Sequence, residues 1–282
     1  MWPSAEPDLF DRDDSVRADP TRLAKLWADP SRHVMAVYKA HIAVDPDASF
    51  QLADAIFLGV ADGQPWFAVP GKIDGMQELR AVAQSLTPVE RSAALTAVAL
   101  DNWHGTHRRC PRCGTATEMI RAGWVRRCPE DGSEHFPRTD PAVIALVVDD
   151  DGRALLGRRA IWPEGWFSTL AGFVEPGENF EQAVAREVAE EAGVRVVPAE
   201  VEYRGTQPWP FPCSIMIAFT AYARPQATEP DGEEIVETAW FSRDEFRAAA
   251  EAGQLRIPPP VSVAYHLIAD WYGQTVPYTW TR

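Results

Sequence analysis

Apolar and polar positions change period several times along the chain, and each change marks an element. Residues 33–41 read as a strand, and residues 53–69 as a hairpin turned at Asp62-Gly63. Thr87-Pro88-Val89-Glu90 has the grammar of a helix start: cap, proline at the first helical position, glutamate three after the cap. That helix is expected to run to about residue 102. Residues 110–137 form a short, turn-rich stretch. Strands are then expected at 142–149 and 154–159, joined through Asp149-Asp150-Asp151-Gly152. A helix at 179–192 follows, then strands near 194–205 and 214–223, and helices near 243–252 and 261–272. No internal repeat is visible. The pattern predicts a mixed α/β protein (α/β, α+β) in three regions: an N-terminal mixed α/β domain at 1–105, a small module at 106–138 and a domain at 139–282.

Composition narrows the class. The chain has 282 residues, 46% of them apolar, enough for a packed core. Its longest clean apolar run, residues 142–148, falls far short of the roughly 18–20 residues that span a bilayer. The N-terminus, Met1-Trp2-Pro3-Ser4-Ala5-Glu6-Pro7-Asp8, has neither a basic start nor an apolar stretch, so no secretory signal is expected. These features imply a soluble, cytoplasmic protein without a membrane partner. The net charge of −14 disfavours a general nucleic-acid binder. One local basic cluster stands against it: Arg108, Arg109, Arg112, Arg121, Arg126 and Arg127.

The chemistry concentrates between Gly172 and Val194. Gly172-Phe173-Val174-Glu175-Pro176-Gly177-Glu178 leads, after seven residues, into Arg186-Glu187-Val188-Ala189-Glu190-Glu191-Ala192-Gly193-Val194. Asn179 and Gln182 have the spacing of a capping box, and Gly193 stands where helices end in a left-handed residue. Glu187, Glu190 and Glu191 therefore share one helical face, within about 100° of its circumference. Like charges so placed repel. A hard divalent cation such as Mg²⁺ or Mn²⁺, bound through carboxylate oxygens, is one reason to tolerate them. A bare Glu-x-x-Glu-Glu is ordinarily a solvated face. Here the flanking glycines, turn and caps make the stretch resemble the Nudix box, Gly-x5-Glu-x7-Arg-Glu-U-x-Glu-Glu-x-Gly-U (U an aliphatic residue), at every specified position. The resemblance implies a Nudix α/β/α sandwich at 139–282 that hydrolyses a nucleoside diphosphate linked to another group. It also implies Glu187, Glu190 and Glu191 as catalytic metal-binding residues, with the Ala171 carbonyl as a further ligand. Which group takes the proton from water stays open.

Downstream, Gln207-Pro208-Trp209-Pro210-Phe211-Pro212-Cys213-Ser214 packs three prolines and two aromatics into eight residues, a stiff loop suited to a flat ring. It resembles the Gln-Pro-Trp-Pro-Phe-Pro-x-Ser array of the NudC-like NADH pyrophosphatases, a branch of the Nudix superfamily. This second resemblance implies hydrolysis of NADH or NAD⁺ to AMP and the nicotinamide mononucleotide, and also removal of NAD caps from RNA 5′ ends, with the arginine cluster as the feature that would hold RNA. It implies a homodimer, a further metal-ligating glutamate at Glu234, a backbone substrate contact at Ala264, and the nicotinamide ring between Phe173 and Phe136, the latter presented by a partner subunit. Read only as residues, either phenylalanine is also compatible with plain core. Two alternatives remain: a Nudix hydrolase of another nucleotide diphosphate such as ADP-ribose, or a catalytically dead Nudix domain in a zinc-ribbon binding module.

Cys110-Pro111-Arg112-Cys113 has zinc-knuckle spacing, and Cys128 follows fifteen residues later. The position due for a fourth cysteine holds Asp131. Structural Zn²⁺ is expected here, with Asp131 as fourth ligand and His135 as an alternate. A turn held by hydrogen bonds without zinc is the remaining possibility. Cys213 reads as a loop cysteine rather than a ligand.

Overall fold

Asp62 and Gly63 both take positive φ, 52° and 77°, the backbone that a two-residue hairpin turn of matched twist requires. The computed structural model describes residues 9–281; the N-terminal stretch read above as lacking a secretory signal lies outside them. The described residues divide into two compact units, residues 9–139 with 209–214, and residues 140–208 with 215–281.

In the first unit, α1 (Asp14–Arg17) and α2 (Pro20–Trp27) precede β1 (His33–Tyr38) and β2 (His41–Val44). The sequence pattern predicts one strand over 33–41. Instead Lys39 and Ala40 adopt φ of 47° and 63° and fold the segment into a hairpin, a turn with no glycine or asparagine to announce it. Next come β3 (Ile56–Ala61), β4 (Gln64–Pro70), β5 (Gln77–Glu78), α3 (Leu79–Val82) and α4 (Pro88–Thr106). Strand order is β3-β4-β1-β2-β5, with β1 and β4 parallel and the other pairs antiparallel. Thr87 and Glu90 close the expected capping box. β6 (Glu118–Ile120), β7 (Val125–Arg127) and β8 (Glu134–His135) form a small antiparallel sheet. It docks on the larger one where Trp124 Nε1 donates to Phe57 O at 2.7 Å.

His104, near the end of α4, links these parts. Its Nε2 donates to Gly123 O at 2.8 Å, and its Nδ1 accepts from Arg126 at 2.9 Å. Burial, which outweighs the Gly123 hydrogen bond, pushes its pKa down to about 4, and the Arg126 charge pushes the same way. The neutral imidazole is thus the folded form. Between about pH 6.5 and pH 4 the unfolded chain binds the extra proton, so stability is complete above this window and falls as pH drops through it, by about 2–3 kcal/mol at most. Urea midpoints at about pH 7.5 and pH 5 should therefore separate further in the natural chain than in His104→Gln. Equal separations would remove His104 as the cause.

The second unit holds β9 (Asp140–Asp149), β10 (Ala154–Arg159), β11 (Leu170–Phe173), α5 (Phe180–Ala192), β12 (Val201–Trp209), β13 (Ser214–Ala223), β14 (Ile235–Phe241), α6 (Arg243–Glu251) and α7 (Val263–Tyr272). Its sheet runs β12-β13-β9-β10-β14, with β11 paired to β9. Side chains of β9 alternate between two cores. Val143, Ala145 and Val147 pack with Val184 and Val188 of α5, whereas Ile144 and Leu146 pack with Phe246 of α6 and Leu267 and Ile268 of α7. A strand covered on both faces reads as a continuous apolar run, and helices on both sides of one sheet make an α/β/α sandwich. The strand expected near 194–205 begins only at Val201, because residues 198–200 form a short 3₁₀ turn led by Pro198.

Candidate active site and cysteine module

The turn at Pro176-Gly177 delivers the chain to Asn179, whose side chain accepts from Gln182 N while Gln182 accepts from Asn179 N. At the other end of α5, Gly193 sits at φ 67° and closes the helix with a left-handed residue. Between these caps the Glu-x-x-Glu-Glu face is held in two environments. Glu190 is largely exposed and pairs with Arg186 at 3.0 Å. Glu191 is buried, only 4% exposed, and accepts one hydrogen bond, from Ala171 N at 3.2 Å.

Arg186 organises the entrance. Its Nε and Nη2 donate to the two Glu178 oxygens at 2.7 and 2.9 Å, Nη2 also donates to Phe173 O at 2.8 Å, and Nη1 reaches Glu187 at 2.8 Å. The bidentate pair locks the loop before the helix onto the helix itself. Arg186 also holds the Glu178 carboxyl down to about 2. Glu178 is thus tied up in structure, which leaves Glu187, Glu190 and Glu191 as the face's donors.

Gly172 on β11 faces Glu187. A Cβ there would fall inside the Glu187 carboxylate, closer than any real Cβ contact, so this glycine makes room for the carboxylate. Burial raises the Glu187 pKa, an effect that Arg186 opposes and that Glu190 and Glu234 reinforce. Glu191 is pushed up to about 8, first by burial and then by the charges of Glu187 and Glu234. Glu234 is placed by Asp231, whose Oδ1 accepts from the N–H groups of Glu233 at 2.6 Å and Glu234 at 2.7 Å, and it pairs with Arg159 at 2.6 Å. A buried carboxylate facing two more, with Arg159 opposing their charges only weakly while it pairs with Glu234, suits a hard divalent ion.

Gln207 is buried and wholly engaged: Nε2 donates to Val261 O at 2.6 Å and Oε1 accepts from Val263 N at 2.8 Å. It anchors the start of α7, where the Ala264 N–H is taken by the capping Ser262 Oγ at 3.3 Å. The tip of the proline loop, residues 209–214, belongs to the other unit. There Asn102 Nδ2 donates to both Pro210 O and Pro212 O at 2.9 Å. Trp209 and Phe211 meet edge to face at 5.1 Å, and the Arg80 guanidinium lies 4.2 Å from the Phe211 ring centroid. Asn102 and Arg80 carry no motif, so the sequence gives no hint of them. Pro208 is exposed, Ser214 is buried, and Cys213 is in no disulfide. Phe173 and Phe136 are both exposed, by 57% and 64%, rather than core.

In the cysteine module, ligand atoms of Cys110, Cys113, Cys128 and Asp131 lie within 4.8 Å of one another. Among the described residues no other group of three or more His, Cys, Asp or Glu is drawn together so closely.

Comparison with known proteins is decisive at this point. Residues 138–259 match the NUDIX domain family, and residues 106–136 match the NADH pyrophosphatase zinc ribbon domain. The chain is 40% identical to NAD-capped RNA hydrolase NudC of Mycobacterium bovis (strain BCG / Pasteur 1173P2), covering 93% of this chain and 92% of that protein. The chain belongs to the NudC family of Nudix hydrolases. It is also 39% identical to NAD-capped RNA hydrolase NudC of Mycobacterium tuberculosis (strain ATCC 25618 / H37Rv) over the same shares. Against NAD-capped RNA hydrolase NUDT12 of Homo sapiens it is 40% identical, over 60% of this chain and 39% of that protein. The turn-rich module is accordingly the zinc ribbon of this family. Among the described residues no helix is long and apolar enough to cross a membrane.

Proposed function

We propose that this NudC-family chain hydrolyses the pyrophosphate of NADH and NAD⁺ to AMP and the nicotinamide mononucleotide, and that it removes NAD caps from RNA 5′ ends by cutting the same bond, which frees the nicotinamide mononucleotide and leaves a 5′-monophosphate on the RNA. The observation that carries the proposal is the 40% identity, over 93% of the chain, to NAD-capped RNA hydrolase NudC. Glu187, Glu190, Glu191 and Glu234, with the Ala171 carbonyl, would hold Mg²⁺ or Mn²⁺. When bound, such ions neutralise phosphate charge and activate water. The chain's own residues supply the rest. Arg186 and Glu178 keep the carboxylate face in place, and Gly172 leaves Glu187 the space it needs. The exposed ring of Phe173, with Phe136 from a partner subunit of a homodimer, would stack the nicotinamide. Residues Gln207 to Ser214 and the Ala264 backbone would be further substrate contacts, as the likeness to the NudC family implies. Cytoplasmic location suits both substrates.

The arginine cluster bears on RNA. Arg126 spends its guanidinium on Thr117 and His104, Arg121 reaches Asp14, Arg127 pairs with Glu134, and Arg109 donates to Gly114 O. Among the described residues, no side-chain hydrogen bond or close ion pair holds Arg108 or Arg112, although the Arg108 charge is felt by Asp101. Arg108 also lines a cleft of about 660 Å³ with Asp101, Thr117 and Met119. Arg108→Glu is therefore expected to lower kcat/KM on NAD-capped RNA several-fold and to flatten its salt dependence by about one unit of slope, with NADH turnover unchanged. Release of the nicotinamide mononucleotide from both substrates, followed by chromatography across a salt series, is the measurement. No nicotinamide mononucleotide from either substrate with Mg²⁺ or Mn²⁺ would overturn the proposed activity, and an RNA rate indifferent to Arg108 would overturn its role.

A further inference from the structure

The two knuckles of the ribbon are backbone copies of each other. In Cys110-Pro111-Arg112-Cys113-Gly114, Gly114 N donates to Cys110 O at 2.9 Å and Cys110 N to Thr115 O at 2.8 Å. In Cys128-Pro129-Glu130-Asp131-Gly132, Gly132 N donates to Cys128 O at 3.0 Å and Cys128 N to Ser133 O at 2.9 Å. Both closing glycines are left-handed, at φ 78° and 70°. By this correspondence Asp131 occupies the place of Cys113. The substitution changed the donor atom and left the turn intact.

The carboxylate is also aimed. Asp131 Oδ1 accepts from Ser133 N at 2.8 Å and from Ser133 Oγ at 2.5 Å, so that oxygen is occupied. Oδ2 lies 3.6 Å from Cys110 Sγ, and Cys113 Sγ lies 3.5 Å from Cys128 Sγ. His135 Nε2 lies 3.2 Å from Ser133 Oγ and close enough to hydrogen-bond the Cys110 thiol, yet it stands outside the cluster of four ligand atoms that Asp131 joins. We propose that this ribbon is a three-thiolate, one-carboxylate zinc site, with Asp131 Oδ2 as fourth ligand and Ser133 as the positioning residue that presents it. His135 supports Ser133 and does not ligate.

The consequence is lability. Thiolates are the softer donors and form the durable bonds of closed four-cysteine sites, whereas a single carboxylate oxygen exchanges with water more readily. A ligand oriented by one hydroxyl depends on that hydroxyl, and loss of such an outer contact typically weakens metal binding by roughly 10–100-fold. This ribbon should surrender zinc to a chelator faster than one closed by four cysteines.

The test uses the full-length protein and reads metal, not turnover. Zinc per chain and its rate of transfer to a chromogenic chelator are measured for the natural chain, Asp131→Cys, Asp131→Ala, Ser133→Ala and His135→Gln. The ribbon is also reloaded with Co²⁺, whose thiolate charge-transfer band ignores ions held by the glutamates. Asp131→Cys should slow zinc transfer at least tenfold and raise that band by about a third, from three thiolates to four. Ser133→Ala should speed transfer about tenfold or more, and His135→Gln should change it far less. The proposal is overturned if the natural chain binds no zinc, if Asp131→Cys leaves rate and band unchanged, or if His135→Gln alone releases the metal. Each of these outcomes is independent of whether NADH is hydrolysed.

Discussion

Glu191→Gln is expected to abolish divalent-cation-dependent hydrolysis, with kcat falling on the order of 10³-fold, about 4 kcal/mol in the barrier. The substitution is isosteric, so the helix and its packing survive. What changes is charge. Glu191 is buried against β11 with one backbone N–H as its hydrogen-bond donor, and its carboxyl is pushed up to about 8 by burial and by Glu187 and Glu234. An amide cannot neutralise a bound dication, so affinity and catalysis fall together. Without metal, a carboxyl pushed up to about 8 is mostly protonated near pH 7, so the amide replaces one neutral group with another. The metal-free variant should therefore melt no lower than the natural chain, while the rise in Tm that Mg²⁺ or Mn²⁺ produces should vanish. Turnover and Tm with and without metal are the two readouts. Retained activity would take Glu191 out of the metal site, and a large drop in metal-free Tm would mean the loss is structural.

Gly172→Ala is the second large effect, and it arises from space rather than charge. Gly172 lies in a regular strand paired with Val143, so alanine strains no backbone dihedral. Its Cβ would instead occupy the position of the Glu187 carboxylate. Glu187 must then swing away, with the Arg186 contact at 2.8 Å broken or dragged along. Displacing a catalytic group by about 1 Å can cost roughly 10²-fold in rate. Activity in Gly172→Ala is expected to fall by at least that factor, with apparent metal affinity reduced and the urea midpoint nearly unchanged. Gly193→Ala offers the contrast. There φ is 67° and a Cβ would press on Glu229 at 3.0 Å, so the cost, about 1–2 kcal/mol, falls on stability, with activity little altered. If Gly172→Ala were to behave like Gly193→Ala, the glycine would serve the backbone and not the carboxylate.

Much of the site was legible because its signals are local. Capping boxes at Thr87 and Asn179, the left-handed Gly193, the Asp62-Gly63 turn and the three glutamates at helical spacing all depend on residues within a few positions of one another. Short-range geometry of this kind is written into the order of side chains. The same holds for the cysteine knuckle, down to the aspartate that departs from it.

Tertiary structure decided what depends on distant partners. Sequence spacing puts Glu187, Glu190 and Glu191 on one face, yet only the fold buries Glu191 behind Ala171, leaves Glu190 outside on Arg186, and brings Arg159 to Glu234. Asn102 and Arg80, more than a hundred residues from the proline loop they hold, carried no signal at all. The six arginines looked equivalent in sequence; among the described residues the fold engages four in side-chain hydrogen bonds or ion pairs and leaves Arg108 and Arg112 outside them. The reason is common to all three. Residue order dictates which chemistry is present and which turns are allowed, while burial, and with it the cost of a charge, exists only once segments far apart in the chain have packed.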